Sequence, residues 1–252
     1  GDGLLDIYFS TYAAHLLESE ISDWSGDRDK LLLDDFLSKK DAGQLSDLID
    51  SQENHRYFKF FGPPNVLLVN KGGGKFDIAP ENQQLQTWRH TYQATWGDFD
   101  ADGDPDLYVA NDFSINCLFR NDGKAGFVDV AEETKTSDIG FGMGAAWGDY
   151  DGDGRQDLYV SNMFSKAGRR ITSQLDIDER FARMARGNSL FRNNGKDFEK
   201  VSGMDAPAMQ VEKAGWSWAS QFCDVDNDGW LDVHALSGYY TAPPEVAVQV
   251  DL

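Results

Sequence analysis

The chain lacks the residues from which disulfide frameworks, histidine-based catalytic centres and nucleic-acid surfaces are built. Its 252 residues include only two cysteines and four histidines, and 23 lysines and arginines stand against 43 aspartates and glutamates. The formal net charge of -20 excludes nucleic acid as a natural partner and disfavours anionic membrane surfaces. No apolar run approaches the length of a membrane span, so we expect no membrane insertion.

The few cysteines and histidines show no catalytic or metal-binding spacing. Cys117 and Cys223 are predicted to lie in strands that are not neighbours, so we expect two buried free thiols rather than a disulfide. The glycine-rich segment 71–75 is predicted to be a hairpin turn, because the Gly-Lys-Ser/Thr helix start of a phosphate-binding loop does not follow it. We therefore expect no enzyme activity. The scattered histidines are His15, His55, His90 and His234.

What the chain has in abundance is aspartate, arranged in a nine-residue motif, Asp-x-Asp-x-Asp-Gly-x-x-Asp. The motif is complete at residues 98–106, 149–157 and 224–232, and a clipped copy opens the chain at residues 1–6. At about 5 Å and an effective dielectric constant of about 20, each pair of carboxylates repels by roughly 3 kcal/mol. A hard divalent cation among the oxygens compensates for this repulsion, and Ca²⁺ is the usual one.

The four copies predict which positions of the motif bind the ion. Position 6 is always glycine, as a sharp turn requires, and positions 1, 3, 5 and 9 supply the side-chain carboxylates. Position 7 varies, so we expect it to bind through its backbone carbonyl. The predicted side-chain ligands are Asp98, Asp100, Asp102 and Asp106; Asp149, Asp151, Asp153 and Asp157; Asp224, Asp226, Asp228 and Asp232; and, in the clipped copy, Asp2 and Asp6. The predicted carbonyl ligands are those of Asp104, Arg155 and Trp230.

The motif has features in common with two other kinds of acidic loop. An EF-hand or dockerin-like loop needs an oxygen ligand at position 12, and here that position is Phe9, Val109, Val160 or Ala235. Acidic surface turns would also favour Asp and Gly, but three complete copies argue against that explanation. We predict three complete Ca²⁺ sites and a fourth that is truncated at the N-terminus.

A second element repeats in step with the aspartate motif. An apolar strand, an Asn/Gly turn and a strand that begins with Phe recur at residues 65–76, 116–127 and 188–198, which predicts a hairpin in each repeat. Each repeat is then strand, calcium loop, strand, connection, strand, turn and strand. Such four-stranded antiparallel units, called blades below, predict an all-β fold of the β-propeller class.

These residues resemble the FG-GAP/VCBS-type repeats of integrin alpha-chain propellers. They are most similar to the secreted bacterial and animal proteins related to cartilage acidic protein (CRTAC-type), through the Trp-Gly-Asp starts at Trp96 and Trp147 and the Leu-Tyr-Val exits at Leu107 and Leu158. The resemblance implies an extracellular propeller whose ions brace the hairpin between the first two strands of a blade. The chain departs from that pattern in its clipped first loop, and it has too few blades for a closed ring.

The repeats argue for one propeller segment over residues 1–252, with two helical insertions. A blade without its first strand is predicted at 1–87, with an insertion near 24–58, and a full blade at 88–140. A second full blade is predicted at 141–214, with an insertion near 164–187, and the start of a fourth at 215–252. Because the sequence starts without Met and inside a truncated loop, we expect a segment of a longer protein.

One basic cluster stands out in this acidic chain, and it falls in the second insertion. It consists of Arg169, Arg170, Arg180, Arg183 and Arg186. We expect both insertions on the face opposite the calcium loops, where these arginines either bind an anionic ligand or pair with nearby acids. We favour the pairing.

The leading functional hypothesis is an extracellular module for adhesion or ligand binding, with an unknown protein or glycan partner. Loops of this kind suit extracellular Ca²⁺, where modules bind at about 10⁻⁴–10⁻³ M, so we expect a secreted, cell-surface or periplasmic location. One alternative is a structural subunit whose open strand edges are completed by neighbouring chains into a homo-oligomer or filament. The other is a polysaccharide-acting enzyme with its site on the insertion face.

Overall fold

The computed structural model of the chain describes residues 3–12, 64–87, 89–164, 184–203 and 206–238. Two compact units, residues 1–90 and 91–252, divide the chain. The described residues are all-β with almost no helix; the helical elements named below are a four-residue helix and one turn of 3-10 helix. No helix of these residues is long and apolar enough to cross a membrane.

The first unit contains a three-stranded antiparallel sheet in the order β1-β2-β3. Its elements are β1 (Ile7–Phe9), β2 (Val66–Asn70), β3 (Phe76–Ile78) and helix α1 (Asn82–Leu85). Three consecutive glycines at 72–74 have positive φ and turn the chain from β2 into β3, as the glycine-rich segment predicts. The Asn82 side chain accepts the Leu67 backbone N–H at 2.6 Å, which ties α1 to the middle strand.

The second unit begins with a four-stranded antiparallel sheet in the order β4-β5-β6-β7. A further strand, β8, pairs with the extended second half of β5. The strands are β4 (His90–Gly97), β5 (Asp106–Ile115), β6 (Cys117–Asn121), β7 (Phe127–Asp129) and β8 (Ile139–Phe141), with the 3-10 turn at Gly123–Ala125.

The next sheet of this unit repeats that order, and a two-stranded sheet follows it. Strands β9 (Gly144–Gly148), β10 (Asp157–Ser161), β11 (Ser189–Asn193) and β12 (Phe198–Lys200) form one antiparallel blade. Strands β13 (Ser217–Cys223) and β14 (Asp232–Ser237) form the two-stranded sheet. Each aspartate motif joins the first two strands of its sheet, as predicted, so the unit is β-propeller-like.

Strand β10 is buried on both faces because it lies between two neighbouring sheets. Successive side chains of a strand point to opposite faces. Leu158 and Val160 pack with Tyr108 of β5, whereas Tyr159 packs with Phe222 of β13. Burial of each such side chain stabilises the fold by about 1.5–3 kcal/mol. The Leu-Tyr-Val triplets that follow the loops at 98–106 and 149–157 are therefore part of the core between repeats.

Several predictions fall outside the described residues. The structure does not describe the insertion near 24–58 or residues 165–183 of the second insertion, so the helical insertions stay a prediction. The individual residues that also lie outside the described ranges are His15, His55, Arg169, Arg170, Arg180 and Arg183. Arg186 is exposed, and the pairing expected for the cluster stays a prediction.

The cysteines are free, as predicted, but only one of them is buried. Cys117, the first residue of β6, is buried, whereas Cys223, at the end of β13, is half-buried. The prediction of two buried thiols is therefore wrong for Cys223. The reason is its position at the end of β13, a strand in which only Ser217 and Phe222 are buried.

Candidate metal centre

In each complete motif the structure brings three carboxylates together. One oxygen from each of positions 1, 3 and 9 lies within 4.8 Å of the other two. The three sets are Asp98, Asp100 and Asp106; Asp149, Asp151 and Asp157; and Asp224, Asp226 and Asp232. Their assembly follows from the tight turn between two paired strands, which returns position 9 to the start of the loop.

The carboxylate at position 1 closes the turn on itself. Asp98 Oδ1 accepts the N–H of Asp102 and Oδ2 accepts the N–H of Gly103, both at 3.1 Å. The loops that start at Asp149 and Asp224 repeat both bonds. The glycine at position 6 has φ between 86° and 94° in the three loops, a conformation that other residues rarely adopt.

In the first two complete loops, position 9 connects the loop to the third strand of its own sheet. Asp106 is fully buried; its Oδ2 accepts the Phe99 N–H at 3.0 Å and its Oδ1 accepts the Asn121 N–H at 2.8 Å. Asp157 makes the same pair of bonds to Tyr150 and Asn193. This carboxylate therefore organises the blade as well as facing the other two acids.

Position 5 is held differently from the other predicted ligands. The Oδ1 atoms of Asp102, Asp153 and Asp228 accept the backbone N–H of position 7, at 2.8, 3.0 and 2.9 Å. Asp153 also forms an ion pair with the guanidinium group of Arg155. Among the described residues these three carboxylates are not part of the converging sets. Their role as ligands, and that of the carbonyls of Asp104, Arg155 and Trp230, stays a prediction.

Burial is the main effect that disfavours the charged form of three of the loop carboxylates. Burial raises the pKa of Asp106 and of Asp157 to about 6, against the opposing effect of their backbone hydrogen bonds. Burial, followed by the charge of Asp102, also raises the pKa of Asp100. Carboxylates whose charged form is disfavoured in this way are stabilised by a nearby cation.

The donor set fits Ca²⁺. Every converging atom is a carboxylate oxygen, the ligand that hard cations prefer, and no nitrogen or sulfur atom belongs to the described sets. In the second loop, Asp151 Oδ1 is buried and has no hydrogen-bond partner. A buried, unsatisfied oxygen costs free energy unless something binds it. An ion among the three carboxylates would satisfy it.

The clipped motif keeps one of these features. Asp6 accepts the Asn70 N–H at 2.9 Å, the bond that position 9 makes in the complete loops. Asp2 lies outside the described residues. Of the histidines, His90 is buried at the start of β4 and His234 is exposed on β14, and neither belongs to a described metal group.

The sequence alone did not assign a role to two residues that support the loops, although both recur in the repeats: the glycine of Trp-Gly-Asp and the asparagine of the hairpin. In Trp-Gly-Asp the glycine allows close packing between sheets: a Cβ on Gly97 would lie 2.6 Å from the Trp147 ring, and one on Gly148 would lie 2.6 Å from the Phe222 ring. In the hairpin, the Asn121 side chain accepts the N–H of Gly123 and donates to the Pro105 carbonyl. The recurrence of this glycine and this asparagine at the same positions of the repeats was the sequence signal that could have indicated their roles.

A comparison of the sequence with protein-family models finds one repeat family in the part of the chain that carries the loops. Residues 98–160 match the model of the FG-GAP-like repeat. The match begins at the first carboxylate of the first complete loop and ends in β10, so it spans two of the three complete loops. No curated protein matches the chain significantly in sequence.

Proposed function

We propose that this chain is a calcium-stabilised β-propeller module that binds an extracellular ligand. The observation that carries the proposal is the convergence of three carboxylates in each of three loops, within 4.8 Å. An FG-GAP-like repeat suggests a ligand-binding propeller module, and the chain contains one at 98–160. Beyond this, we propose that the bound ion is Ca²⁺, that the protein is extracellular, and that it acts in adhesion or ligand recognition.

The ion's contribution would be electrostatic and structural. In each complete loop the carboxylates at positions 1, 3 and 9 would hold it, with position 5 and the carbonyl of position 7 completing the set. Bound Ca²⁺ supplies positive charge that offsets the repulsion between the acids. Because position 9 also bonds the third strand, a filled loop would stabilise the blade around it.

We propose a secreted, cell-surface or periplasmic location, since loops of this type suit extracellular Ca²⁺ concentrations. The partner would be a protein or glycan, and the closer kinship with cartilage acidic protein-like (CRTAC-type) proteins belongs to the same proposal. The clustered carboxylates accept backbone N–H groups of their own turns, which supports a binding role rather than a catalytic one. Assembly into a homo-oligomer or filament is the alternative, and light scattering of the chain at increasing concentration tests it.

Thermal unfolding with and without Ca²⁺ tests the proposal. We expect the melting temperature to rise when Ca²⁺ replaces a chelator, because the ion binds the folded loops only. Asp100→Asn, Asp151→Asn and Asp226→Asn should each reduce the rise. Asp122→Asn, which removes an exposed acid paired with Arg120 outside the loops, is the matched control and should leave the rise unchanged. An identical melting temperature in Ca²⁺ and chelator would refute the proposal.

A further inference from the structure

Two of the three complete loops are joined to each other by side chains of one repeat. The Asn193 side-chain amide donates to the Phe99 carbonyl at 2.7 Å and to the Gln156 carbonyl at 3.1 Å. In addition, Gln156 Oε1 accepts the backbone N–H of Asp98 at 3.1 Å. Phe99 and Asp98 belong to the loop at 98–106, whereas Gln156 belongs to the loop at 149–157.

These bonds end on the carboxylates proposed to hold the ions. The Phe99 N–H donates to Asp106 Oδ2, and the Asn193 N–H donates to Asp157 Oδ1. A continuous chain of bonds and peptide groups therefore runs from position 9 of one loop to position 9 of the next. Asn193 and Asp157 are fully buried, so water does not compete for these contacts.

The sequence limits this arrangement to one pair of loops. Position 8, where Gln156 supplies the acceptor, is Pro105 in the first complete loop and Leu231 in the third. A leucine side chain cannot accept a hydrogen bond from the preceding loop. Instead, Leu231 packs in the apolar cluster that contains Tyr159 and Phe222.

We propose that the loops at 98–106 and 149–157 bind Ca²⁺ cooperatively through Asn193 and Gln156, a hydrogen-bonded connection that the described residues do not provide for the loop at 224–232. This inference rests on the proposed calcium function, and it adds that ion binding at one loop regulates ion binding at the next. Without an ion, repulsion between the acids loosens a loop and with it the Asp98 and Phe99 backbone. An ion in either loop orders these shared contacts, so the second ion meets a loop that is already ordered.

The test needs a signal from each loop. The amides of Gly103, Gly154 and Gly229 each donate to the position 1 carboxylate of their own loop, so their NMR signals report ion binding loop by loop. Ca²⁺ is titrated into the chelator-treated full chain. The same titration is then run on Asp100→Asn, which disables the loop at 98–106.

We expect Asp100→Asn to weaken Ca²⁺ binding at the Gly154 signal by about fivefold or more, the lower end of typical coupling between sites. Binding at the Gly229 signal should change less than about twofold. In an Asn193→Ala background, Asp100→Asn should no longer affect the Gly154 signal. Asn121→Ala is the matched control: it removes the equivalent hairpin asparagine, which bonds Pro105 of its own repeat, and should leave the coupling intact.

The outcomes separate this inference from the calcium proposal. Glycine signals that do not respond to Ca²⁺ refute the proposed function itself. Signals that respond, with Gly154 unaffected by Asp100→Asn, overturn the coupling alone. Coupling that persists in Asn193→Ala overturns the role of Asn193. Gln156→Met tests the second connection separately: this exposed side chain loses its bond to the Asp98 N–H without opening the core, the coupling should fall, and unchanged coupling overturns the role of Gln156.

Discussion

The backbone N–H of Asn121 donates a 2.8 Å hydrogen bond to Asp106 Oδ1, so the last carboxylate of the loop is held by the third strand of its blade. Asn193 and Asp157 repeat this relationship at the same distance in the next blade. The buried carboxylate thus has two functions, as a proposed ion ligand and as a fixed point of the sheet. The tests below separate the two.

The stability of the ion-free chain should rise as the pH falls from 7 towards 5. Asp106 and Asp157 have a folded pKa of about 6. Their ordinary unfolded value is about 3.9. A carboxyl with a raised folded pKa contributes stability below its unfolded pKa, and this contribution is lost as the pH rises through the folded pKa. The melting temperature in chelator, measured at several pH values, checks this.

The control is the double variant Asp106→Asn, Asp157→Asn, in which these two groups no longer titrate. We expect a smaller rise in melting temperature over the same pH range, with the remainder due to the high net negative charge. In saturating Ca²⁺ the parent chain should not gain stability on acidification, because protons compete with the ion. An equal rise in parent and variant would contradict the role of the two aspartates.

Substitution of Gly97 by alanine should destabilise the second unit by about 1–3 kcal/mol, the usual cost of overpacking. The added Cβ would lie 2.6 Å from the Trp147 ring. Chemical denaturation measures this cost. In a Trp147→Leu background the cost of Gly97→Ala should fall, whereas the cost of Gly148→Ala, whose neighbour is Phe222, should remain. Equal costs in both backgrounds would show that the Trp147 ring is not the obstacle.

Removal of the guanidinium of Arg155 should strengthen Ca²⁺ binding at its own loop. Arg155 pairs with Asp153, a proposed ligand, and therefore competes with the ion for this carboxylate. Because both groups are partly exposed, we expect a modest gain of about two- to fivefold for Arg155→Met. The NMR titration at Gly154 measures it. Arg192→Met, which removes an arginine paired with Glu199 on the sheet, should have no effect; a weaker site in Arg155→Met would contradict the argument.

Much of the loop geometry was predictable because the motif repeats. The spacing Asp-x-Asp-x-Asp-Gly-x-x-Asp requires a tight turn, and Asp98, Asp100 and Asp106 do converge. The strands that flank each loop followed from their β-branched and aromatic residues. The backbone bond that position 5 makes was not predicted, since an aspartate in a turn can bind an ion or a nearby N–H with the same oxygen.

Contacts between repeats were less predictable. Comparison of the repeats shows what they share, whereas the bond from Asn193 to Phe99 depends on how two sheets pack. The pairing of β8 with the extended β5 also joins residues distant in sequence, and the bridge between Met163 and Trp216 is its counterpart in the next repeat. Such contacts depend on residues distant in sequence, and no local spacing indicates them.

The number of Ca²⁺ ions bound by the chelator-treated chain tests the central claim most directly. Isothermal titration calorimetry at physiological ionic strength should give three ions per chain, with two each for Asp100→Asn, Asp151→Asn and Asp226→Asn. Mg²⁺ should bind more weakly, because it requires a smaller and more regular set of oxygens. A titration with no saturable Ca²⁺ binding, or one that these three substitutions leave unchanged, would contradict the account.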